Sequence, residues 1–240
     1  MKMVPDNTGR FGLRPHYTQM ELDQEFEALI CAFLYRRHGE AQFPISTNDL
    51  VLLIEEDSDD LDTYADLSRY GRDVCGLTVF PPDGGPHVLI SRDVSDDPRM
   101  ENRFRTTLAH EFGHVYLHRQ LWDRKYFLDR LSHTDEPQYA AICKRSTILG
   151  EGTCDWMEWQ AGYACGAILM PVSQIHSIVG NFREAHDVPS SISLHVESEQ
   201  AREIIRVVME RFLVSEEAAR VRLLKLKCLL EFEMEISYFE

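Results

Sequence analysis

The amino-acid sequence predicts an α+β fold that is mainly helical, with one small antiparallel sheet and a helical C-terminal segment. Three observations carry that prediction. Apolar residues recur at helical spacing through several separate blocks of the chain. A single stretch, residues 74 to 91 (VCGLTVFPPDGGPHVLIS), sets two β-prone runs around a turn rich in Pro, Asp and Gly, which is the pattern of a hairpin. No internal repeat and no low-complexity segment points to a solenoid or a disordered tail.

The elements follow in order. Residues 18 to 38 form a helix with acids early and arginines late, matching the helix dipole. After Gly39 and Pro44, Ser46 or Thr47 caps a second helix through NDLVLLIEE, and the acidic run from 55 to 62 reads as a solvated turn. The hairpin comes next, then a polar connection, then a helix over about 103 to 119. Residues 120 to 155 are mixed and predict a short helix with loops. A helix resumes over about 156 to 170 and Pro171 stops it. Short helices reach to 182, a Pro-Ser-Ser break follows at 189 to 191, and two helices are expected over about 197 to 212 and 216 to 230. The expected division is a domain of residues 1 to 195 with a C-terminal helical, helix-turn-helix-like segment, 196 to 240, packed on it.

Composition bounds the function. With 240 residues, 44% of them apolar and 27% charged, the chain can bury a real core. A formal net charge of -15 argues against the whole surface adhering to nucleic acid, since exposed carboxylates repel phosphate. The first twenty residues contain no apolar signal region, and no stretch approaches the roughly 18 apolar residues that would span a bilayer. Six scattered cysteines without a CxxC pair read as reduced thiols, so a cytoplasmic location and no membrane partner are expected.

The chemistry is concentrated in RTTLAHEFGHVYLH, which holds His110-Glu111-Phe112-Gly113-His114 in a helical apolar pattern. Two histidines at i and i+4 project from one face with Cβ atoms about 5 to 6 Å apart, so both imidazoles can reach one tetrahedral ion at about 2.0 Å. Glu111 sits about 100° around the helix, placed to reach a water beside the ion and take its proton. Leu108, Ala109, Phe112 and Val115 supply the buried faces that hold such a helix rigid. A catalytic ion needs a third protein ligand and one open position. Glu158, 44 residues after His114, is the best candidate. Its helix carries Ala161, Gly162, Cys165 and Gly166, small residues that let two helix axes approach closely. Asp155, Asp123, Asp129 and His118 compete, although Asp155 suits a helix cap and His118 points about 80° away from His110 and reads as a supporting or surface residue. The N,N,O ligand set favours Zn2+.

The pairing of RTTLAHEFGHVYLH with EWQAGYACGAILMP, over about residues 74 to 230, resembles the ImmA/IrrE family of bacterial metallopeptidases. The length and the DWMEWQAGY stretch look most like the CapP subgroup found with anti-phage operons. The resemblance implies a zincin-like core, His110, His114 and Glu158 as zinc ligands, and Glu111 as the catalytic glutamate. It also implies a substrate, a helix-turn-helix repressor whose cleavage derepresses stress, DNA-damage or defence genes. Where the family shows Glu-Ala-Asn-like residues on the second helix, this chain has Glu-Trp-Gln-Ala-Gly-Tyr.

Other assignments are expectations of the residues themselves. Tyr163, Tyr116 and Arg105 are candidates for stabilising an oxyanion, with Tyr163 preferred. The strand near 87 to 91 is expected to pair with an extended substrate by edge addition. Cys143, flanked by basic residues in CKRS, is a candidate inhibitory zinc ligand that would fill the open position, ahead of Cys154. Residues 201 to 230 hold seven Arg/Lys against four Glu and read as a structural helical pair, or as a nucleic-acid sensor with single-stranded DNA as activator. The alternative function is a DNA-binding regulator with a structural metal site. A third is a metal-dependent hydrolase of another substrate.

Overall fold

The computed structural model describes residues 1–132, 139–144 and 155–231. The architecture is α+β, and the chain divides into two compact units, Met1–Leu169 and Met170–Glu240. The boundary falls after the helix that Pro171 terminates, and not at 195. In the C-terminal unit α6 (Val172–Ala185) packs with α7 (Glu199–Phe212), which carries residues 172 to 185 into the second unit.

In the N-terminal unit, β1 (Lys2–Pro5) and β2 (Leu13–His16) form an antiparallel pair that the sequence did not announce. Two strands of four residues lie below the length at which alternation is recognisable. Their connection is built around buried Asp6, whose carboxylate accepts from the Thr8 and Phe11 amides and from the Trp156 indole N–H. Helix α1 (Gln19–His38) begins at a capping box in which Thr18 and Glu21 bond reciprocally, and it ends at Gly39 in the left-handed region. Ser46 caps α2 (Thr47–Asp57).

The main sheet has the order β3-β5-β4-β6, from β3 (Asp60–Ala65), β4 (Val74–Phe80), β5 (His87–Ser91) and β6 (Tyr139–Lys144). The predicted hairpin is there as the antiparallel β4–β5 pair, with Leu77 opposite Leu89. The sheet is mixed, however, because β3 pairs with β5 in parallel. The acidic run read as a turn therefore ends inside an edge strand, whose exposed Asp60 and Asp62 hid its alternation with Leu61 and Thr63. A short α3 (Arg92–Ser95) follows β5.

Helix α4 (Glu101–Ser132) runs well past the expected end near 119. Its distal half is held by β4: Phe80 stacks on Trp122, and the Tyr126 hydroxyl donates to the Phe80 carbonyl at 2.5 Å. That packing makes a helix of a stretch whose charges obscured its period. Alternate residues of β4 face α4, with Gly76 against Thr107 and Glu111, Thr78 against Glu111 and Phe80 against Trp122, while Leu77 faces a second cluster with Ala65 and Leu67.

Helix α5 (Trp156–Leu169) lies along the other side of α4 in the opposite direction, with Cys165 beside Thr106, Ala161 beside Gly113 and Trp156 beside His118. The approach is close because Gly113 lacks a side chain: a Cβ there would lie 3.0 Å from the Ala161 Cα. In the second unit, α7 and α8 (Glu216–Lys225) are joined by a turn with Leu213 in the left-handed region, and Ser198 and Ser215 cap the two helices. Among the described residues, no single helix is long and apolar enough to cross a membrane.

Candidate metal centre

The α4–α5 packing brings His110, His114 and Glu158 together, with one ligand atom from each lying within 4.8 Å of the others. The contacts are close and even. His110 Nε2 is 3.2 Å from His114 Nε2, and each imidazole is 3.2 Å from one Glu158 oxygen. Ligands held at about 2.0 Å by a tetrahedral ion lie about 3.3 Å from one another, so the spacing is that of a ligand set. Both histidines are fully buried and the Glu158 side chain is 12% exposed, which leaves the approach on the carboxylate's side. Burial opposes the charge on Glu158, yet His114 and His110 beside it hold its carboxyl well below the usual range. Three converging donors that exclude other partners in a buried place fit a divalent cation.

Helix geometry places each group. His110 and His114 share one face of α4, and Glu158 comes from the first turn of α5, where Asp155 accepts from the Met157 amide as the expected cap. Arg10, from the β1–β2 connection, pairs with Asp155 at 2.7 Å and ties that loop to the Glu158 helix. Asp155 is thus a cap, not a ligand. Asp123 and Asp129 pair along α4 with Arg119 and Lys125, so neither joins the centre.

Glu111 faces β4 and lies beside the histidines, whose charge acts on it. Thr78 Oγ1 donates to Glu111 Oε2 at 2.5 Å, while buried Oε1 has no hydrogen-bond partner among the described residues. Gly76 makes room for that oxygen, since a Cβ at 76 would lie 2.4 Å from it. Burial raises the Glu111 carboxyl above its ordinary value, against the opposing influence of His114 and His110. Neither Thr78 nor Gly76 was singled out in the sequence. A signal existed, because a glycine inside a β-prone run marks a close approach and residue 78 shares its face.

Two expectations need correction, and a third falls outside the described residues. Tyr163 does not face the ligands: five residues after Glu158 it lies about 140° around α5, and its buried hydroxyl donates to Asp23 of α1 at 2.7 Å. The other two oxyanion candidates are also engaged elsewhere, Arg105 with the Ile45 carbonyl and Tyr116 with Glu25. The strand at 87 to 91 has no open edge, because β5 lies between β3 and β4; the sheet's edges are β3 and β6. Cys143 lies in β6, its backbone opposite Gly76, but its side chain is outside the described residues, as is the whole of Cys154.

His118 is fully buried behind His114, with their Nδ1 atoms 3.1 Å apart, and its Nε2 is 3.1 Å from Gln160 Oε1. Burial, and then the neighbouring His114, push its imidazolium well below the usual histidine range, so it is neutral. It stands behind His114 and is not among the three converging atoms. No family model matches the chain, and no curated protein does.

Proposed function

We propose that the chain is a zinc-dependent endopeptidase whose substrate is a helix-turn-helix repressor protein, cleaved to derepress stress or defence genes. One observation carries the reading: beside two histidines whose ligand atoms meet Glu158 at the spacing of a ligand set lies a buried Glu111, one oxygen of which has no hydrogen-bond partner among the described residues. A structural metal site has no use for a carboxylate kept free at that point.

His110, His114 and Glu158 would hold the ion. Zinc bound there supplies a Lewis acid for the scissile carbonyl and lowers the pKa of water toward 7. Glu111 Oε1 accepts the proton of the attacking water and returns it to the leaving amine, a task suited to a carboxyl whose proton affinity burial has raised. Thr78 holds Oε2, so the carboxylate is oriented before reaction and only one oxygen is available to the proton. Among the described residues β6 pairs on one side only, with β4, and an extended peptide can align along the backbone of its other side.

The substrate class rests on the likeness of the two motif helices to the ImmA/IrrE peptidases, and single-stranded DNA as an activator rests on the basic composition of residues 201 to 230. In that segment Arg206 pairs with Glu210, Arg220 with Glu217 and Arg222 is buried, while Glu216 and Glu217 open α8. Such charge pairing weakens the alternative of a DNA-binding regulator, since acidic residues at the start of a would-be recognition helix repel phosphate.

The decisive experiment incubates the purified, zinc-loaded chain with a helix-turn-helix repressor as candidate substrate. Glu111→Gln is expected to bind one zinc per chain and to lose cleavage by about 10²- to 10⁴-fold. Undiminished cleavage by that variant would remove Glu111 from the chemistry.

A further inference from the structure

Behind the ligand set, four groups stand in a row: His114 Nδ1, the His118 ring, the Gln160 amide and the Pro15 carbonyl. The links are His114 Nδ1 to His118 Nδ1 at 3.1 Å, His118 Nε2 to Gln160 Oε1 at 3.1 Å, and Gln160 Nε2 to Pro15 O at 2.9 Å. His118 and Gln160 are both at most 1% exposed, so water does not compete for these bonds. The row begins on α4, crosses α5 and ends on the β1–β2 pair.

Its proton directions follow from its last member. A backbone carbonyl can only accept, so the Gln160 nitrogen must face Pro15 and the Gln160 oxygen must face His118. That oxygen can only accept, so His118 carries its proton on Nε2. His118 Nδ1 is then a lone pair, and the 3.1 Å contact to His114 requires the His114 proton to lie on Nδ1. The lone pair left on His114 is on Nε2, the atom that meets His110 and Glu158. Each assignment forces the next, and all of them end in the one tautomer that can bind a metal through Nε2. His110 has no such support: its Nδ1 is buried without a hydrogen-bond partner among the described residues.

We infer that His118 and Gln160 are positioning residues for the metal centre, a relay anchored on the Pro15 carbonyl that holds His114 in its ligand tautomer and orientation. The inference rests on the metal-site reading given above, and it concerns metal affinity before any turnover. Partners of this kind raise the basicity of a ligand histidine and fix its ring, and their loss typically weakens metal binding by about 10- to 100-fold. Steric filling alone would be preserved by an apolar ring, whereas the relay needs an acceptor facing His114 and a donor facing Gln160.

The test measures zinc affinity by competition with a chromophoric chelator, on the full chain, for the parent, His118→Phe, His118→Gln and Gln160→Met. His118→Phe keeps a ring and removes both bonds, and is expected to weaken zinc binding by about 10- to 100-fold. His118→Gln offers an amide oxygen to His114 and an amide N–H to Gln160, and is expected to stay near the parent. Gln160→Met leaves the His118 tautomer undirected and is expected to fall between them. Heteronuclear NMR of the zinc-loaded parent should find the His114 proton on Nδ1 and the His118 proton on Nε2. Parent-like affinity in a folded His118→Phe, or a His118 proton on Nδ1 in the zinc-loaded parent, overturns the relay while leaving the metal site intact. A parent chain that takes up no zinc overturns the metal reading and the relay with it. Should His118→Phe fail to fold, Gln160→Met against the parent decides, and equal affinities there sink the proposal.

Discussion

Along α4 and α5, His110, Glu111, His114 and Glu158 are buried or nearly so and converge with bonding capacity left over, namely a Glu111 oxygen with no hydrogen-bond partner among the described residues and three candidate ligand atoms close together. Along α7 and α8, several charged side chains find partners in their own unit: Arg206 pairs with Glu210, Arg220 with Glu217, and the buried Arg222 Nε donates to the Met170 carbonyl at 3.0 Å. Both regions are rich in polar residues at helical spacing, and the difference lies in what those residues have left to bind. Leaving a buried polar atom unpartnered costs about 1 to 3 kcal/mol, so a group of them at one place signals a ligand, whereas internally matched charge signals a structural role.

Substitutions at three positions would break or sharpen this contrast. The largest effect is expected from Gly76→Ala. The added methyl would lie 2.4 Å from Glu111 Oε1 and 2.8 Å from Thr107 Cγ2, so the carboxylate must move. Because a displacement of about 1 Å can cost on the order of 10²-fold in rate, turnover should drop by about that much while zinc content stays stoichiometric. Loss of the metal instead would show that β4 supports the ligands as well as the base.

Gly113→Ala comes next. Its methyl would meet the Ala161 Cα at 3.0 Å and the Ala161 carbonyl oxygen at 3.2 Å, backbone atoms that cannot rotate away. Overpacking of about 1 to 3 kcal/mol opposes a helix-propensity gain of about 1 kcal/mol, so the net destabilisation is expected to be modest. Separation of α4 from α5 should be read most clearly as zinc affinity weakened about 10-fold, measured by chelator competition; unchanged affinity would mean that the ligand spacing does not depend on this contact. The smallest effect belongs to the other region. Ser215→Ala removes the side-chain cap that accepts from the Ala218 amide at 3.2 Å. It should cost about 1 kcal/mol in urea unfolding and leave zinc binding unchanged.

Much of the site was legible in the chain because its logic is local. An i, i+4 histidine pair with a glutamate between them needs only a helix to become two ligands and a base. Glu158 was reachable through the small residues of its helix, and Ala161 is indeed where α5 touches α4. The partner of that contact, Gly113, was quoted inside the motif without being given a packing role. Tyr163 was misassigned because proximity along a helix says nothing about which side faces the centre: five residues is about 140° of rotation. Strand β3 was missed because its solvent side is acidic, and the far half of α4 because its apolar residues are interspersed with charges that face water.

Short-range geometry thus gave the i, i+4 histidine pair on one helix, the cap at Ser46 and the β4–β5 pairing, since each depends on residues a few positions apart. Tertiary structure alone decided what spans long sequence separations. It set Gly76 and Thr78 against Glu111 across more than thirty residues. It also placed the Pro15 carbonyl behind His118 through Gln160, 145 residues away in the chain. Such contacts leave no period in the sequence, because nothing local requires them; they exist only once α4, α5 and the sheet have packed into one core.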